Sequence, residues 1–450
     1  MIGFLIALLV SSPAPSLVDI AVQHSIEPLC RILEEPSRVD AQTQVKKALR
    51  RIEKEKDHDE ADRSELRRLV SEIILGVTVW KNKYEYIQLG SGSGLNDNDD
   101  KNSAVQDMIE LHLQHNNGTF NEDRITWPLD PIENLAATCS LPEFLVRLLM
   151  DQIGHADTLS YCKSSNSPGK VSIRRNNILC DSDELLMESV PNITPNPIAG
   201  FHFEPKPKSI WALDGWKKGY FEVQDEGSQR IALATKCRTN ESILDYCAGN
   251  GGKTRSMASM MGTNGRIVAH DIAEFRLKQI EGSLERTGIS VPPNSIQIDC
   301  ISDYRLLLKQ KTTFDVVLVD APCSGTGILR RRPSHRWMLD LESVTMHYPE
   351  LQTDILKEAA GFVRPGGRLV YATCSVLASE NQAVALAFEA LPEYQKEWAP
   401  WPFEDQEKGH PVDGCSNSNF QLILPNTKGS TDGFFIARWK RRSQSSNEAD

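Results

Sequence analysis

The sequence predicts an α/β protein: a mostly parallel sheet covered on both faces in the C-terminal half, preceded by a small α+β module and a helical N-terminal region. Three observations predict it. From Trp211 onward, short apolar runs alternate with helix-like stretches, which is the pattern of strand–helix units. One of those runs, Val316 to Val319, leads into Asp320-Ala321-Pro322-Cys323-Ser324-Gly325-Thr326-Gly327, so reactive side chains sit at the carboxyl end of a buried strand. Upstream, by contrast, Leu66, Leu69, Val70, Ile73, Val77, Trp80, Tyr84 and Ile87 recur at helical spacing.

In chain order, residues 1–16 open with a nine-residue apolar run, Ile2 to Val10, too short to span a bilayer. It resembles the apolar part of a leader but lacks a preceding Lys or Arg. Residues 17–130 are expected to be helical with a polar linker. Lys46, Lys47, Arg50, Arg51, Lys54 and Lys56 read as a solvated helix face, with RNA phosphate contact as the sharper alternative. Asp62, with Glu65 three residues on, is expected to cap the helix carrying the Leu66–Ile87 stripe. Gly90 to Thr126 reads as a long loop, broken at most by a short helix over Val105–His115. A further helix is expected from Ser140 to a stop at Gly154.

Residues 138–205 form the small module, with a strand over Val171–Arg175 and a helix over Asp181–Val190. A Pro-rich join over 193–207 leads to the main domain, 206–441. Its strands are expected at Ser242–Tyr246, Arg266–Asp271, Ser295–Asp299, Asp315–Asp320 and Arg368–Thr373, with closing strands at Phe420–Pro425 and Gly433–Lys440. Residues 442–450 form a polar tail without structure.

Composition narrows the classes. The net charge of −11, with 40% hydrophobic and 25% charged residues, is that of an ordinary globular chain, so nucleic-acid binding would need local basic patches. Ten cysteines without Cys-x-x-Cys or paired Cys/His spacing argue against zinc and for a reducing compartment, either cytoplasm or, with a leader, an organelle such as the plastid. No metal, no membrane and a monomeric state are expected.

The first main strand ends in Asp245-Tyr246-Cys247-Ala248-Gly249-Asn250-Gly251-Gly252-Lys253-Thr254. Its glycines permit a sharp turn and close approach to a ligand, with helix amides behind them. The spacing is neither the dinucleotide fingerprint nor a P-loop. Acids end the next strands too: Asp271, Asp299 and Asp320. Each alone could be a helix cap. As a set they suit a cofactor with ribose hydroxyls, an amino group and a positive centre, which S-adenosylmethionine combines. A second cysteine arrives at a strand end in Thr373-Cys374-Ser375.

Together with Gln224 to Gln229, Arg330-Arg331-Arg332-Pro333, Pro365-Gly366-Gly367, Glu380-Asn381 and Asp432 to Phe435, these motifs resemble the RNA cytosine-5 methyltransferases of the Sun (RsmB-type) family, in the family's order. Ser140 to Glu143 and Arg174-Arg175-Asn176 resemble that family's small RNA-binding module, and Leu66 to Ile87 its NusB-like helical domain in the small-subunit ribosomal RNA branch. The resemblance implies a Rossmann-like S-adenosylmethionine-dependent methyltransferase domain. It implies that Cys247, Ala248, Gly249, Asn250, Gly251, Gly252 and Lys253 line the cofactor loop, that Asp271 holds ribose, and that Asp299 lies near the adenine. Asp320 would lie between cofactor and base, Cys374 would be the nucleophile, and Cys323 would assist release. Gly249-Asn250 stand where the family has Ala-Pro, and this departure is expected to loosen the turn.

The chemistry accounts for two cysteines. Thiolate addition at carbon 6 of cytosine makes carbon 5 nucleophilic, and a second group must then help the carbon-5 proton leave. Arg174, Arg175, Arg330, Arg331, Arg332 and Arg336 are the expected RNA contacts. RNA, ribosomal above all, is the expected partner. Rival readings are transfer RNA as substrate and a non-catalytic RNA-binding assembly factor that keeps the fold. A DNA cytosine-5 enzyme is disfavoured, since it would lack the Thr-Cys-Ser strand end.

Overall fold

A computed structural model describes residues 16–36, 38–54, 59–90, 101–196, 200–207, 209–289, 295–404, 418–425 and 431–443. The leader expectation for 1–15 and the tail from 444 onward lie outside these. The chain divides into two compact units, one of residues 1–150 with 329–339, the other of 151–328 with 340–450. These cuts differ from the sequence boundaries at 130, 138 and 205. Eleven residues from within the C-terminal half belong to the N-terminal unit, and linear composition carries no trace of that return.

The first unit is helical: α1 (Leu17–Glu34), α2 (Ala41–Ile52), α3 (Glu60–Val79), α4 (Lys81–Gly90), α5 (Lys101–Asn116) and α6 (Pro131–Thr138). Leu29, Ile32, Ile52, Leu66, Val70, Ile73, Val77, Tyr84 and Ile109 form its core. The cap of α3 is Asp59, whose carboxylate accepts from the Asp62 amide at 2.8 Å; an acid three residues earlier outcompetes Asp62 for the role. The apolar stripe read as one helix is broken at Trp80, so Tyr84 and Ile87 belong to α4. Much of the expected loop is instead α5, a 16-residue helix that buries Val105, Met108 and Ile109. Its polar flanks masked a periodicity that tertiary burial completes. Residues 91–100 are outside the described set.

The helix expected from Ser140 starts at Glu143 (α7, Glu143–Ser165) and crosses from one unit to the other. Ser140 takes φ 53° and its hydroxyl accepts from the Asn82 amide, so it is a tertiary contact and not a cap. Gly154 (φ 72°, ψ 175°) leaves helical geometry, so the first helix stops there as expected and a second follows directly to Ser165.

In the second unit a small antiparallel sheet has the order β2-β3-β1-β4, from β1 (Ser172–Arg175), β2 (Ile193–Pro195), β3 (Phe201–Phe203) and β4 (Phe221–Val223). The Pro-rich join therefore supplies two strands. Pro195 is tolerated because β2 is an edge. The module also extends past residue 205 to take in β4.

The large sheet runs β10-β12-β9-β8-β5-β6-β7, with β11 beside β12. Its members are β5 (Ser242–Asp245), β6 (Asn264–His270), β7 (Ser295–Ile301), β8 (Phe314–Asp320), β9 (Val363–Thr373), β10 (Trp398–Pro400), β11 (Phe420–Ile423) and β12 (Phe434–Arg441). Strands β5 to β9 pair in parallel, while β10 to β12 pair antiparallel at one side. The strand order reverses between β5 and β8, so the crevice for a ligand lies at their carboxyl ends. Among the described residues no helix is long and apolar enough to cross a membrane.

Candidate active site

Register decides which strand-end residues meet. Asp245 pairs with Ala269 and Leu318, and Asp320 with Ala372, so the two-residue period puts Asp245, Asp320 and the row leading to Cys374 on one sheet face. Asp299 pairs with Val268 and falls on the other face. Strand β7 runs two residues further than expected, and the Asp299 carboxylate accepts from Arg266 Nε and Gln297 Nε2, each at 2.8 Å. Cys300 takes the crevice-side position, packed beside Ala248, Ala269 and Leu277. Asp299 is therefore corrected from the crevice group to a surface ion pair. A one-residue parity separates the two readings.

The glycine loop follows β5. Gly249 (φ 55°) and Gly251 (φ 76°) occupy the left-handed region, and a Cβ at Gly249 or Gly252 would meet open space. Hydrogen bonds hold the loop along its length. Ala248 N–H donates to His270 O, Gly249 N–H to Asp271 Oδ2 at 2.9 Å, Gly251 N–H to Ala248 O, and Arg255 Nη1 to Asn250 O. Asp271 also accepts from Ala273 N–H at 2.8 Å, which leaves each of its oxygens a lone pair for a further donor.

Asp245 is fully buried. Its Oδ2 accepts from Thr254 Oγ1 at 2.7 Å, and Oδ1 has no partner among the described residues. Burial, only partly offset by the Thr254 hydroxyl, pushes its pKa up to about 7. Cys247 is pushed well above the ordinary thiol range, by burial first and then by the charges of Asp320, Asp245 and Asp271, so it is no nucleophile.

Lys253 Nζ donates to Asp320 Oδ2 at 2.5 Å. Burial alone would lower the lysine pKa, but the attraction of Asp320 outweighs it and keeps the ammonium charged; Asp245 and Cys374 add to the same effect. The two sulfurs, Cys323 Sγ and Cys374 Sγ, lie 3.2 Å apart. Cys323 is pushed well above the usual thiol range, first by its hydrogen bond with Cys374 and then by burial, so Cys323 keeps its proton. A charged lysine, a carboxylate and a proton-sharing thiol pair thus converge at the switch point.

The arginines divide differently from expectation. Arg336 is fully buried in the helical unit, where Nη1 donates to Ser140 O at 3.0 Å and faces Val79 O at the end of α3. Beside it Trp337 Nε1 donates to Thr78 O at 2.8 Å. These two residues satisfy carbonyls left open at the C-terminus of α3, so Arg336 is architectural and not a surface RNA contact. Arg174 is bound to Gln224 Oε1 at 3.0 Å, and its pKa is lowered to about 10, mainly by burial. Arg175 pairs with Asp183 at 2.7 Å and donates to Cys180 O. Arg330 and Arg331 are half-buried, and Arg332 is exposed.

Residue-by-residue reading gave no role to Thr254, Ser324, Gln352 or Ser375, all buried and hydrogen-bonded around the thiols or the loop. Glu380 and Asn381 stood in a motif without a role. For Ser324 and Ser375 a signal was present, since they lie among polar residues just past apolar strands, whereas Thr254 and Gln352 lie inside helices and carried none.

Residues 232–440 match the family model described as 16S rRNA methyltransferase RsmB/F. The probable ribosomal RNA small subunit methyltransferase B of Bacillus subtilis (strain 168) is 30% identical over 70% of this chain and 69% of its own length. The human 28S rRNA (cytosine(4447)-C(5))-methyltransferase is 30% identical over 70% of this chain but 39% of its own. Among solved structures, PH0851 has a TM-score of 0.71 at 21% identity over 95% of this chain and all of that one. NSun6 from Pyrococcus horikoshii with SFG has a TM-score of 0.56 at 22% identity over 67% of this chain and 98% of that one. With β5–β9 in parallel order and both strand-end cysteines in place, the chain belongs to the RsmB/F methyltransferase family.

Proposed function

We propose that this enzyme transfers a methyl group from S-adenosylmethionine to carbon 5 of a cytosine in ribosomal RNA through a covalent Cys374–cytosine adduct. The observation that carries the proposal is the thiol pair at 3.2 Å beside the Lys253–Asp320 ion pair. The relatives' names, ribosomal RNA methyltransferases and one a cytosine-C5 enzyme, support the substrate class. SFG, an S-adenosylmethionine analogue, in the Pyrococcus neighbour supports the cofactor. The fit to this chain rests on the open faces of Gly249 and Gly252, the spare lone pairs of Asp271, and the orphan Oδ1 of Asp245 as an acceptor for an ammonium.

When bound, the cofactor supplies an electrophilic methyl on a sulfonium. Glycine-loop backbone and Asp271 hold its nucleoside part, the latter as acceptor for ribose hydroxyls. Lys253 offers positive charge to the Cys374 sulfur as it becomes a thiolate. Cys374 adds to carbon 6, and carbon 5 then carries the electron pair that takes the methyl. Loss of the carbon-5 proton lets the C–S bond break and return Cys374. The carbon-5 proton passes to solvent water, and Cys323, protonated and within hydrogen-bond reach of the Cys374 sulfur, donates to that sulfur as it leaves as a thiolate. The base must be unpaired or flipped to enter. Both thiols and the Lys253–Asp320 pair are intact, which disfavours the non-catalytic reading.

The test is incubation of the purified chain with unmethylated ribosomal RNA transcripts and methyl-labelled S-adenosylmethionine, followed by bisulfite sequencing. A protected cytosine appearing only with active protein supports the assignment. Label without cytosine protection would overturn it.

A further inference from the structure

We infer that Glu380 is a positioning residue that clamps the two cysteine-bearing loops to one another. Its side chain is fully buried, and one carboxylate reaches both loops. Oε2 accepts the Ser324 amide at 2.8 Å, and Oε1 accepts the hydroxyls of Ser324 and of Ser375, the latter at 2.6 Å. Ser324 follows Cys323, and Ser375 follows Cys374. Gln352 Nε2 completes the set by donating to Glu380 Oε2 at 3.0 Å and to Pro322 O, the residue before Cys323, at 2.9 Å.

The other side of Cys374 is fixed from the same turn. Asn381 Oδ1 accepts from Thr373 Oγ1 at 2.6 Å, and Asn381 Nδ2 donates to Ser375 O at 3.0 Å, so Cys374 is bracketed on both flanks. The Glu380 carbonyl accepts from Tyr371 Oη at 2.6 Å, tying the clamp to β9. A buried carboxylate carrying four donors is costly to remove and rigid when satisfied. Sulfurs on two different loops stay 3.2 Å apart because a single acceptor sets the spacing.

The inference rests on the two-cysteine reading above, and its test has two arms so that the failures separate. In single turnover with a small-subunit ribosomal RNA transcript, Ser375→Ala is expected to slow appearance of the denaturant-stable complex about tenfold, and Ser324→Ala to slow its decay about tenfold, each by loss of one charge-assisted hydrogen bond. Cofactor affinity stays within twofold in both. The second arm needs no RNA. Diamide oxidises the two thiols to a disulfide, itself reduced to the hydrazine, at a rate that reports their proximity. Glu380→Gln, which keeps the side-chain shape, is expected to slow this reaction about tenfold, since one donor must now face donors. Unchanged oxidation in Glu380→Gln overturns the clamp. So does equal slowing of complex formation by both serine variants. If the wild type forms no RNA complex, the cytosine reading fails while the diamide arm still decides the clamp.

Discussion

Residues 320–328 and 329–339 are adjacent in sequence and each carries one of the family-like motifs, yet they are put to opposite uses. The first stretch leaves β8 and holds Asp320, Cys323 and Ser324 against Lys253, Cys374 and Glu380. The second belongs to the helical unit, where Ser334 contacts Asp40, Gln42 donates to Arg331 O at 2.5 Å, and Arg336 and Trp337 close the end of α3. Both stretches are rich in polar residues. The partners differ: in the first they are the titratable groups of the thiol site, in the second backbone carbonyls and the helix-capping carboxylate of Asp40. Despite burial, hydrogen bonds from Thr43 and Ser334 hold that carboxylate below the usual range. Motif membership does not separate chemistry from architecture, but the identity of the partner does.

That contrast can be broken by mutation. The largest effect is expected from Cys374→Ala, a loss of turnover of at least about 10⁴-fold with no covalent complex, measured by methyl transfer to RNA. Lys253→Met is expected to cost about 10²–10³-fold in kcat, because the Asp320 carboxylate is left without its counter-charge and the thiolate without a nearby cation. Arg336→Met, in the neighbouring stretch, is expected to act on stability, lowering it by about 2–4 kcal/mol in denaturant unfolding through unsatisfied buried carbonyls. Activity per folded molecule in that variant should stay near wild type; a kcat loss as large as that of Lys253→Met would erase the distinction.

The acids offer a sharper version of the same comparison. Asp271→Ala is expected to weaken S-adenosylmethionine binding by about 2–4 kcal/mol in calorimetry, whereas Asp299→Ala leaves it unchanged. Equal losses would return Asp299 to the crevice. The smallest effect concerns pH. The folded-state pKa of Asp245, about 7, lies above the ordinary 3.8, so the folded protein binds more protons between those values. Its contribution is greatest below pH 4 and is lost as pH rises toward 7. Asp245→Asn is expected to flatten the fall of thermal midpoint with pH across that window.

Much of this was legible in sequence. Periodicity located β5 to β9, and the strand-end cysteines and glycine loop were found because their residue types are rare in that setting. What was not legible depended on three-dimensional parity or return of the chain. Asp299 and Asp271 look alike until β7 is extended by two residues and paired with β6. Arg336 looks like surface charge until the 329–339 segment is seen within the helical unit. Phe201–Phe203 is too short to show a strand period, and only its pairing with β1 defines it. Glu380 lies five residues beyond Ser375 and 56 beyond Ser324, so its double attachment has no local signature.

The most direct measurement isolates the denaturant-stable RNA complex from Cys323→Ala, digests it with protease and nuclease, and identifies the cysteine carrying the nucleotide by mass spectrometry. With Cys374 as the nucleophile, the modified peptide contains Thr373-Cys374-Ser375, and the complex accumulates above the wild-type level. Absence of any complex from Cys323→Ala, with a complex from Cys374→Ala modified at Cys323, would contradict the assignment.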